Sequence, residues 1–413
     1  AALTLELELV SNGLTFPTGL AFGADGSIYV SESGLPFGGA PPGGRILRLA
    51  GEERKVVADE LRAPVNGVAS DDDALYVSEG GHPARISQLD GDGRRETVLE
   101  GLPGPGNYHT NMVVVGPDRR LYFSQGAMTN TGIVGLDAYE LGWLRRLPHA
   151  HDVPGYDVVL AGENVETEDP THGGRTRTGA FVPFGTETRD GQRVRARVPA
   201  TSAVMRCDLD GSGLELVAWG LRNAYGLGFL GDGRLLATDQ GADDRGSRPI
   251  GSAPDLLFEV RPGAWYGWPD FVGGEPVTDP KYRPERGPAP RFLLRNHDEL
   301  PPPEQPLARF EPHTAAVKFD ASPEGWLAVA LFGDEAPMTA PPAGPHGRTV
   351  VRVDVGDWTI RPLEVEGLSR PIDVRFDAEG VLWVLDFGRF EMTSSGAVAE
   401  PQSGALYRAR VAS

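Results

Sequence analysis

One pattern recurs six times along the chain, and few folds accommodate such recurrence. In its first copy, Phe16-Pro17-Thr18-Gly19-Leu20-Ala21-Phe22 leads into an Asp25-Gly26 turn and then Ile28-Tyr29-Val30-Ser31-Glu32. The later copies occupy residues 64–79, 109–125, 223–239, 313–331 and 370–386. Each reads as a strand, a tight turn and a second strand. A third strand-like run follows each copy, as in 45–49, 85–89, 203–207, 256–260, 349–353 and 405–409. Six repeats of three or four strands predict an all-β chain, a six-bladed β-propeller that occupies 1–413 as a single domain. A β-sandwich pair fits repeats of this regularity poorly. The alternating stretch Leu3-Thr4-Leu5-Glu6-Leu7-Glu8-Leu9 has no hairpin before it. It is expected to close the ring by pairing with the last strand near 406–411, which removes an exposed edge.

In such a fold the first strand of each repeat lines a central channel. Aligning the repeats on their turns gives a column at the start of that strand: Phe16, Pro64, His109, Asn223, His313, Arg370. The column that ends the second strand reads Glu32, Glu79, Gln125, Asp239, Leu331, Asp386. Antiparallel pairing puts both columns on one face. The long connections emerge there too: an insertion at 126–199 in the third repeat, 240–253, a long connection at 264–312 between the fourth and fifth repeats, and 332–347. Long loops over polar positions on a rigid scaffold are where function usually sits.

Composition limits the partners. The 40% apolar residues support a large core, while 55 Gly and 36 Pro suit strands and turns. A net charge of −19 disfavours nucleic acid, whose binding rests on neutralising phosphates. No apolar run is long enough to span a membrane. The lone Cys207 excludes an intrachain disulfide.

The richest stretch is 220–271. Arg222-Asn223 and Asp239-Gln240-Gly241-Ala242-Asp243-Asp244 fall at the same end of one hairpin, so a cationic donor and an amide face a cluster of oxygen ligands. Arginine's fork suits an anion or a quinone carboxylate, though an ion pair across the channel is the plainer role. The aspartate-rich loop suits Ca²⁺, or else caps its own turn. His109 stands in the channel column beside Asn111, where an imidazole is able to accept a proton. His149, His151 and His172 lie in the insertion, most simply as solvated side chains. Trp265-Tyr266-Gly267-Trp268-Pro269 reads as packing or as an aromatic wall.

These residues resemble the glucose/sorbosone dehydrogenase family, which includes soluble quinoprotein glucose dehydrogenases and aldose sugar dehydrogenases. The resemblance is carried by Gly220-Leu221-Arg222-Asn223-Ala224-Tyr225-Gly226-Leu227, the Asp239-Gln240-Gly241 loop and Tyr266-Gly267-Trp268-Pro269, with weaker matches around His109 and at 369–374. It implies a propeller that binds pyrroloquinoline quinone (PQQ) and Ca²⁺ and oxidises an aldose at its anomeric carbon to the lactone, handing electrons to an external acceptor. A periplasmic or secreted location, with a leader removed ahead of Ala1, is expected on the same ground. By position, His109 is the expected base and Arg222 the group that polarises the quinone oxygen. Gln125, Asn223, Gln240, Arg348 and Arg370 are the expected cofactor contacts, and the carbonyls of Gly241 and Ala242 the Ca²⁺ ligands. The chain departs from the family where a second arginine belongs, at Ile372. It has Tyr108 where an acid is familiar and no lysine obviously placed in the fifth repeat, Arg348 being the nearest substitute. The insertion is also longer than the family's counterpart.

Two further readings compete. A Ca²⁺-dependent lactonase would gather Glu32, Glu79, Asn66, Asn111 and Asp239 around a central ion. A binding module would use the loop face for docking alone.

Overall fold

Strands make up nearly all the regular structure of the computed structural model, which describes residues 2–412. After β1 (Leu3–Leu14) come sets of four antiparallel strands. The first set is β2 (Pro17–Phe22), β3 (Ile28–Glu32), β4 (Gly44–Ala50) and β5 (Glu53–Leu61). The second is β6 (Val65–Asp71), β7 (Ala74–Glu79), β8 (Ala84–Leu89) and β9 (Arg95–Leu102). In the third, β10 (Thr110–Val115) and β11 (Arg120–Gln125) precede an inserted segment. That segment holds α1 (Leu136–Glu140) and α2 (Trp143–Arg146). It also pairs β12 (Val158–Ala161) with β15 (Asp190–Val194) and β13 (Asn164–Glu168) with β14 (Arg175–Gly179). The set resumes with β16 (Ala203–Asp208) and β17 (Glu215–Trp219).

The fourth set comprises β18 (Leu227–Phe229), β19 (Leu235–Asp239) and β20 (Asp255–Val260). A small hairpin of β21 (Phe271–Val272) and β22 (Glu275–Pro276) intervenes before its last strand, β23 (Ala308–Phe310). The fifth is β24 (Ala316–Ala321), β25 (Trp326–Leu331), β26 (Thr349–Asp354) and β27 (Ile360–Val365). The last begins with β28 (Pro371–Phe376) and β29 (Leu382–Asp386), passes through the hairpin β30 (Phe390–Thr393) and β31 (Gly396–Ala399), and continues in β32 (Gly404–Val411).

The N-terminal strand completes this last set, as its lack of a hairpin predicts. It runs antiparallel to β32, with Leu5 opposite Val411, Leu7 opposite Ala409 and Leu9 opposite Tyr407. Unforeseen is its parallel pairing with β27, where Leu3 faces Leu363. That contact fuses the fifth and sixth sets into one eight-stranded sheet. First strands of successive sets lie side by side: β2 on β6, β6 on β10, β10 on β18, β18 on β24, β24 on β28 and β28 back on β2. The arrangement is consistent with a propeller.

Burial follows position within a set. Second strands such as β19 (LLATD), β25 (WLAVAL) and β29 (LWVLD) are buried at every residue, because neighbouring sets cover both faces. Fourth strands such as β9 (RETVLEGL) are mostly exposed. Hence the inner strands read as unbroken apolar runs and the outer ones as charged. The turn between β18 and β19 shows the local chemistry. Gly233 takes φ of 90°, while the Asp232 carboxylate accepts the Arg234 N–H at 3.1 Å.

Candidate active site

Hairpin register gathers the site. At the head of the fourth set the Asp239 carboxylate accepts the backbone N–H groups of Asn223 at 2.8 Å and Arg222 at 3.3 Å. Burial raises the Asp239 pKa to about 6. The Gln240 N–H donates to the Asn223 carbonyl at 3.2 Å, so both ends of the hairpin are tied together. Asp255 on β20 accepts from Gly241 N and Ala316 N, each at 2.7 Å, and thereby joins the fourth set to the fifth. Burial pushes its carboxyl up to about 7.

These ends open on a cavity of about 290 Å³ at the centre of the loop face. His109, Arg222, Asn223, Gln240 and Gly241 all line it. Arg222 is 3% exposed, and its guanidinium lies 4.4 Å over the Tyr108 ring. Its Nε donates to the Asn130 carbonyl at 3.0 Å, and its Nη2 to Asn130 Oδ1, Asp243 Oδ2 and the Tyr108 hydroxyl. Nη1 donates to the Gln240 carbonyl at 3.2 Å, which leaves one of its two N–H groups for a ligand oxygen.

A chain of amides forms the floor beside it. Asn66 donates to Asn111 at 3.3 Å, Asn111 to Asn223 at 2.7 Å and Asn223 to Gln240 at 2.8 Å. Each carbonyl after the first is taken by the preceding amide, and that of Asn66 by the Tyr225 hydroxyl at 3.4 Å, so the chain ends on the Gln240 NH₂ as a donor. His109 completes the polar wall. Burial, helped by the charge of Arg146, lowers its pKa to about 4, so the imidazole is neutral at physiological pH. The opposite wall is apolar: Phe37, Phe332, Ile372, Phe387 and Phe390, with the Phe332 and Phe387 rings packed edge to face at 5.4 Å.

Four expected contacts lie outside this lining. Gln125 is fully buried, accepting from Thr110 at 2.6 Å and donating to the Pro103 carbonyl at 3.2 Å. Arg348 pairs with Asp334 and Glu391 at the surface. Arg370 is 1% exposed beneath Phe332 and Phe390, donating to the carbonyls of Phe390 at 3.0 Å and Asp334 at 2.7 Å. Ala242 is buried behind Gly241.

The cavity also holds Arg245 and Glu335, which the sequence reading passed over, and His313, which it placed in the channel column. Arg245 lines it next to Asp243, at 3.1 Å, and its Nε and Nη1 are buried without a hydrogen-bond partner. Glu335 lines it half-buried, and burial raises its carboxyl to about 7 against the opposing charge of Arg370. His313 lines the same cavity, in the left-handed region at φ 64°. The fifth set's lysine is at the axis: Lys318 Nζ donates to the carbonyls of Thr18, at 2.7 Å, and Asn66, and burial lowers its pKa to about 8. Hairpin register was the available signal for His313 and Glu335, since the Gly333 N–H meets the Thr314 carbonyl at 2.9 Å.

The column of carboxylates turns out to cap backbone and pair with arginines. Glu32 takes Thr15 N and Arg45 Nε at 2.8 Å, and Glu79 takes Arg62 N at 2.8 Å and Arg85 Nε at 2.7 Å. No group of three or more His, Cys, Asp or Glu able to hold a metal exists among the described residues. Three carboxylates of the lactonase set, Glu32, Glu79 and Asp239, are already engaged by backbone N–H groups, and the first two also by arginines. Trp265 is fully buried and stacked on Trp219 at 6.4 Å and 12°, which is packing.

No protein-family model and no curated sequence matches the chain significantly. Solved structures do. An oxidoreductase described as a glucose dehydrogenase from Thermus thermophilus aligns with a TM-score of 0.58 at 18% identity, over 98% of this chain and 100% of that one. The fold is shared. The PQQ-bound aldose sugar dehydrogenase of Streptomyces coelicolor aligns with a TM-score of 0.58 at 17% identity, over 98% of each chain. A calcium form of a family AA12 carbohydrate-active enzyme from Trichoderma reesei gives 0.58 at 15% identity, over 100% of this chain and 97% of that one. Among the described residues no helix is long and apolar enough to cross a membrane.

Proposed function

We propose that this chain is a PQQ- and Ca²⁺-dependent sugar dehydrogenase, a quinoprotein built as one six-bladed β-propeller, that oxidises an aldose at the anomeric carbon to the lactone. One observation carries the reading: His109, Arg222, Asn223 and Gln240, drawn from the third and fourth sets, converge on a single cavity whose other wall is aromatic. The closed ring of first strands supports the blade count. The fold shared with a PQQ-bound sugar dehydrogenase supports the chemistry.

The residues present fit the quinone. Its flat rings suit the wall of Phe332, Phe387 and Phe390, and its carboxylates suit Arg245, whose buried Nη1 has no partner among the described residues and whose Nε has only Asp137, at 3.8 Å. The carbonyl oxygens of Gly241 and Ala242 accept from no backbone donor among the described residues, whereas those of Gln240 and Asp243 are engaged. Gly241 lines the cavity with the buried Ala242 next to it, and a free carbonyl on Gly241 there suits Ca²⁺. When bound, the quinone supplies the two-electron oxidant that takes hydride from the sugar carbon. The chain's own groups do the rest. His109, uncharged well below neutral pH, holds the hydroxyl proton on a ring nitrogen. The spare Nη1 hydrogen of Arg222 meets developing negative charge on oxygen. Asn223 and Gln240 orient the ligand, and the apolar wall excludes water.

A small sugar is then the substrate, a separate electron acceptor the partner, and the periplasm or the extracellular space the setting. Absorbance on reconstitution with PQQ and Ca²⁺, followed by a dye-linked assay against aldoses, tests the reading. A quinone spectral shift and turnover with at least one aldose are expected. Neither uptake nor turnover would overturn it.

A further inference from the structure

A second concavity, of about 660 Å³, lies between the second set and the inserted segment. Residues 101–104 and His82 form one side, and 146–151 with Arg197 the other. Every titratable side chain that lines it is basic: His82, Arg146, His149, His151 and Arg197. Among the described residues no carboxylate lines it, although the chain carries 58 acidic side chains against 39 Lys and Arg. An unbiased surface of this protein would put acids here first.

Two of the imidazoles are held in place. His82 Nδ1 lies 2.9 Å from the Gly104 carbonyl, and His151 Nδ1 lies 2.8 Å from the Asp152 carbonyl. A carbonyl only accepts, so Nδ1 carries the hydrogen in each ring and Nε2 is left without a protein partner. The two arginines stand in exposed positions at either side, and neither is held by a carboxylate among the described residues. Elsewhere on the surface Arg119 and Arg120 are held by Asp71 and Asp118 at 2.7 and 2.8 Å. A metal does not explain the cluster, since no metal-holding group of three exists among the described residues.

We propose that this groove is a second ligand site, separate from the central cavity, that binds a small oxyanion of the phosphate or carboxylate class. Two guanidinium forks match the paired oxygens of such an anion, and the local basic charge of the groove, against a chain of net charge −19, is what selects an anion there. The groove backs onto the main cavity: Met128 lines the groove, and its carbonyl accepts at 2.9 Å the N–H of Asn107, which lines the cavity.

Titration calorimetry on the full chain at low ionic strength, with inorganic phosphate in one arm and citrate in the other, tests the site. Saturable binding with Kd below about 1 mM is expected for at least one anion. Whichever arm binds more tightly assigns the class. The double variant R146A/R197A, in which both changes are at exposed positions, should weaken binding at least tenfold, while R119A leaves it unchanged. No saturable binding in either arm overturns the proposal. So does equal affinity in R146A/R197A, which would place the anion elsewhere.

Discussion

Arg222 and Arg370 stand one place apart at the heads of the fourth and sixth sets, where Arg222 matches Ser369 and Arg370 matches Asn223. Asp239 accepts the N–H groups of Arg222 and Asn223, and Asp386 accepts those of Ser369 and Arg370 at 2.6 and 3.0 Å. Their backbones are thus held by the same device. Their side chains differ in what covers them. Arg222 rests on Tyr108 and borders the central cavity, whereas Arg370 is roofed by Phe332 and Phe390 and held by the carbonyls of Phe332, Asp334 and Phe390 and by Glu391 at 3.4 Å. Position in a repeat sets where a chain's backbone goes. A shift of one place, together with the connecting loops, decides whether an arginine there is offered to a ligand or spent on the protein.

The sharpest way to break that contrast is to remove both arginines in turn. Arg222→Ala should lower dye-linked turnover about 100- to 1,000-fold, the usual cost of losing a donor at a developing oxyanion. Arg370→Met should leave turnover per folded molecule and quinone affinity within about twofold. Its cost should appear instead as about 3 kcal/mol of lost stability, because three buried carbonyls lose their donor. Steady-state kinetics beside thermal unfolding separates the two. If Arg370→Met abolishes quinone binding while folded, the roofed arginine belongs to the site after all.

Much of this was legible in the sequence, for identifiable reasons. Turn residues such as Asp232-Gly233 and the unbroken apolar second strands fixed the repeats, and the unpaired alternation of 3–9 predicted the pairing with β32. His109, Arg222, Asn223 and Gln240 were found because hairpin register alone brings them to one face. Arg245 was missed because its approach depends on how loop 240–253 folds over the face, which no period encodes, whereas the register that placed His313 in the channel column also reaches Glu335 and was not followed that far. Gln125 and Arg370 were drawn in by their columns, but their side chains turn to local carbonyls.

Titration sharpens the comparison from the loop side, since Glu335 faces Asp243 and Arg245 of the fourth set, Arg370 of the sixth and its neighbour Asp334. Its folded pKa, about 7, lies above the ordinary 4.5, so its contribution is fully present below about pH 4.5 and is lost as pH rises through 7. His109 runs the other way. Its folded pKa, about 4, lies below 6.5, so its contribution is present above about pH 6.5 and is lost as pH falls towards 4. Glu335→Gln should therefore gain about 2 kcal/mol over the parent at pH 8 and nothing at pH 4. His109→Gln should flatten the acid limb only. Denaturant midpoints across pH 4–8 check both signs, and a Glu335→Gln curve parallel to the parent at every pH would refute the first.

The smallest effect expected is at the far end of the amide chain. Asn66 is 7% exposed and stands three side chains from Gln240, between the Tyr225 hydroxyl at 3.4 Å and Asn111 at 3.3 Å. Long bonds at that end against 2.7 and 2.8 Å at the other imply that orientation is set mainly near Asn223. Asn66→Leu leaves the Asn111 carbonyl unpaired, which costs about 1–3 kcal/mol of stability. The Asn111 NH₂, however, still reaches Asn223, so the donor end of the chain stays aimed at the cavity. Quinone affinity should fall only about threefold with turnover unchanged, whereas Asn223→Leu, which removes the link holding Gln240, should weaken affinity by about tenfold or more. Absorbance titration of the quinone into each variant decides between a graded chain and a single unit. Equal losses in the two variants would mean that the polar wall acts as one rigid array from Tyr225 to Gln240. The contrast between its strands and the loop-covered Arg370 would then be sharper than separate contacts allow.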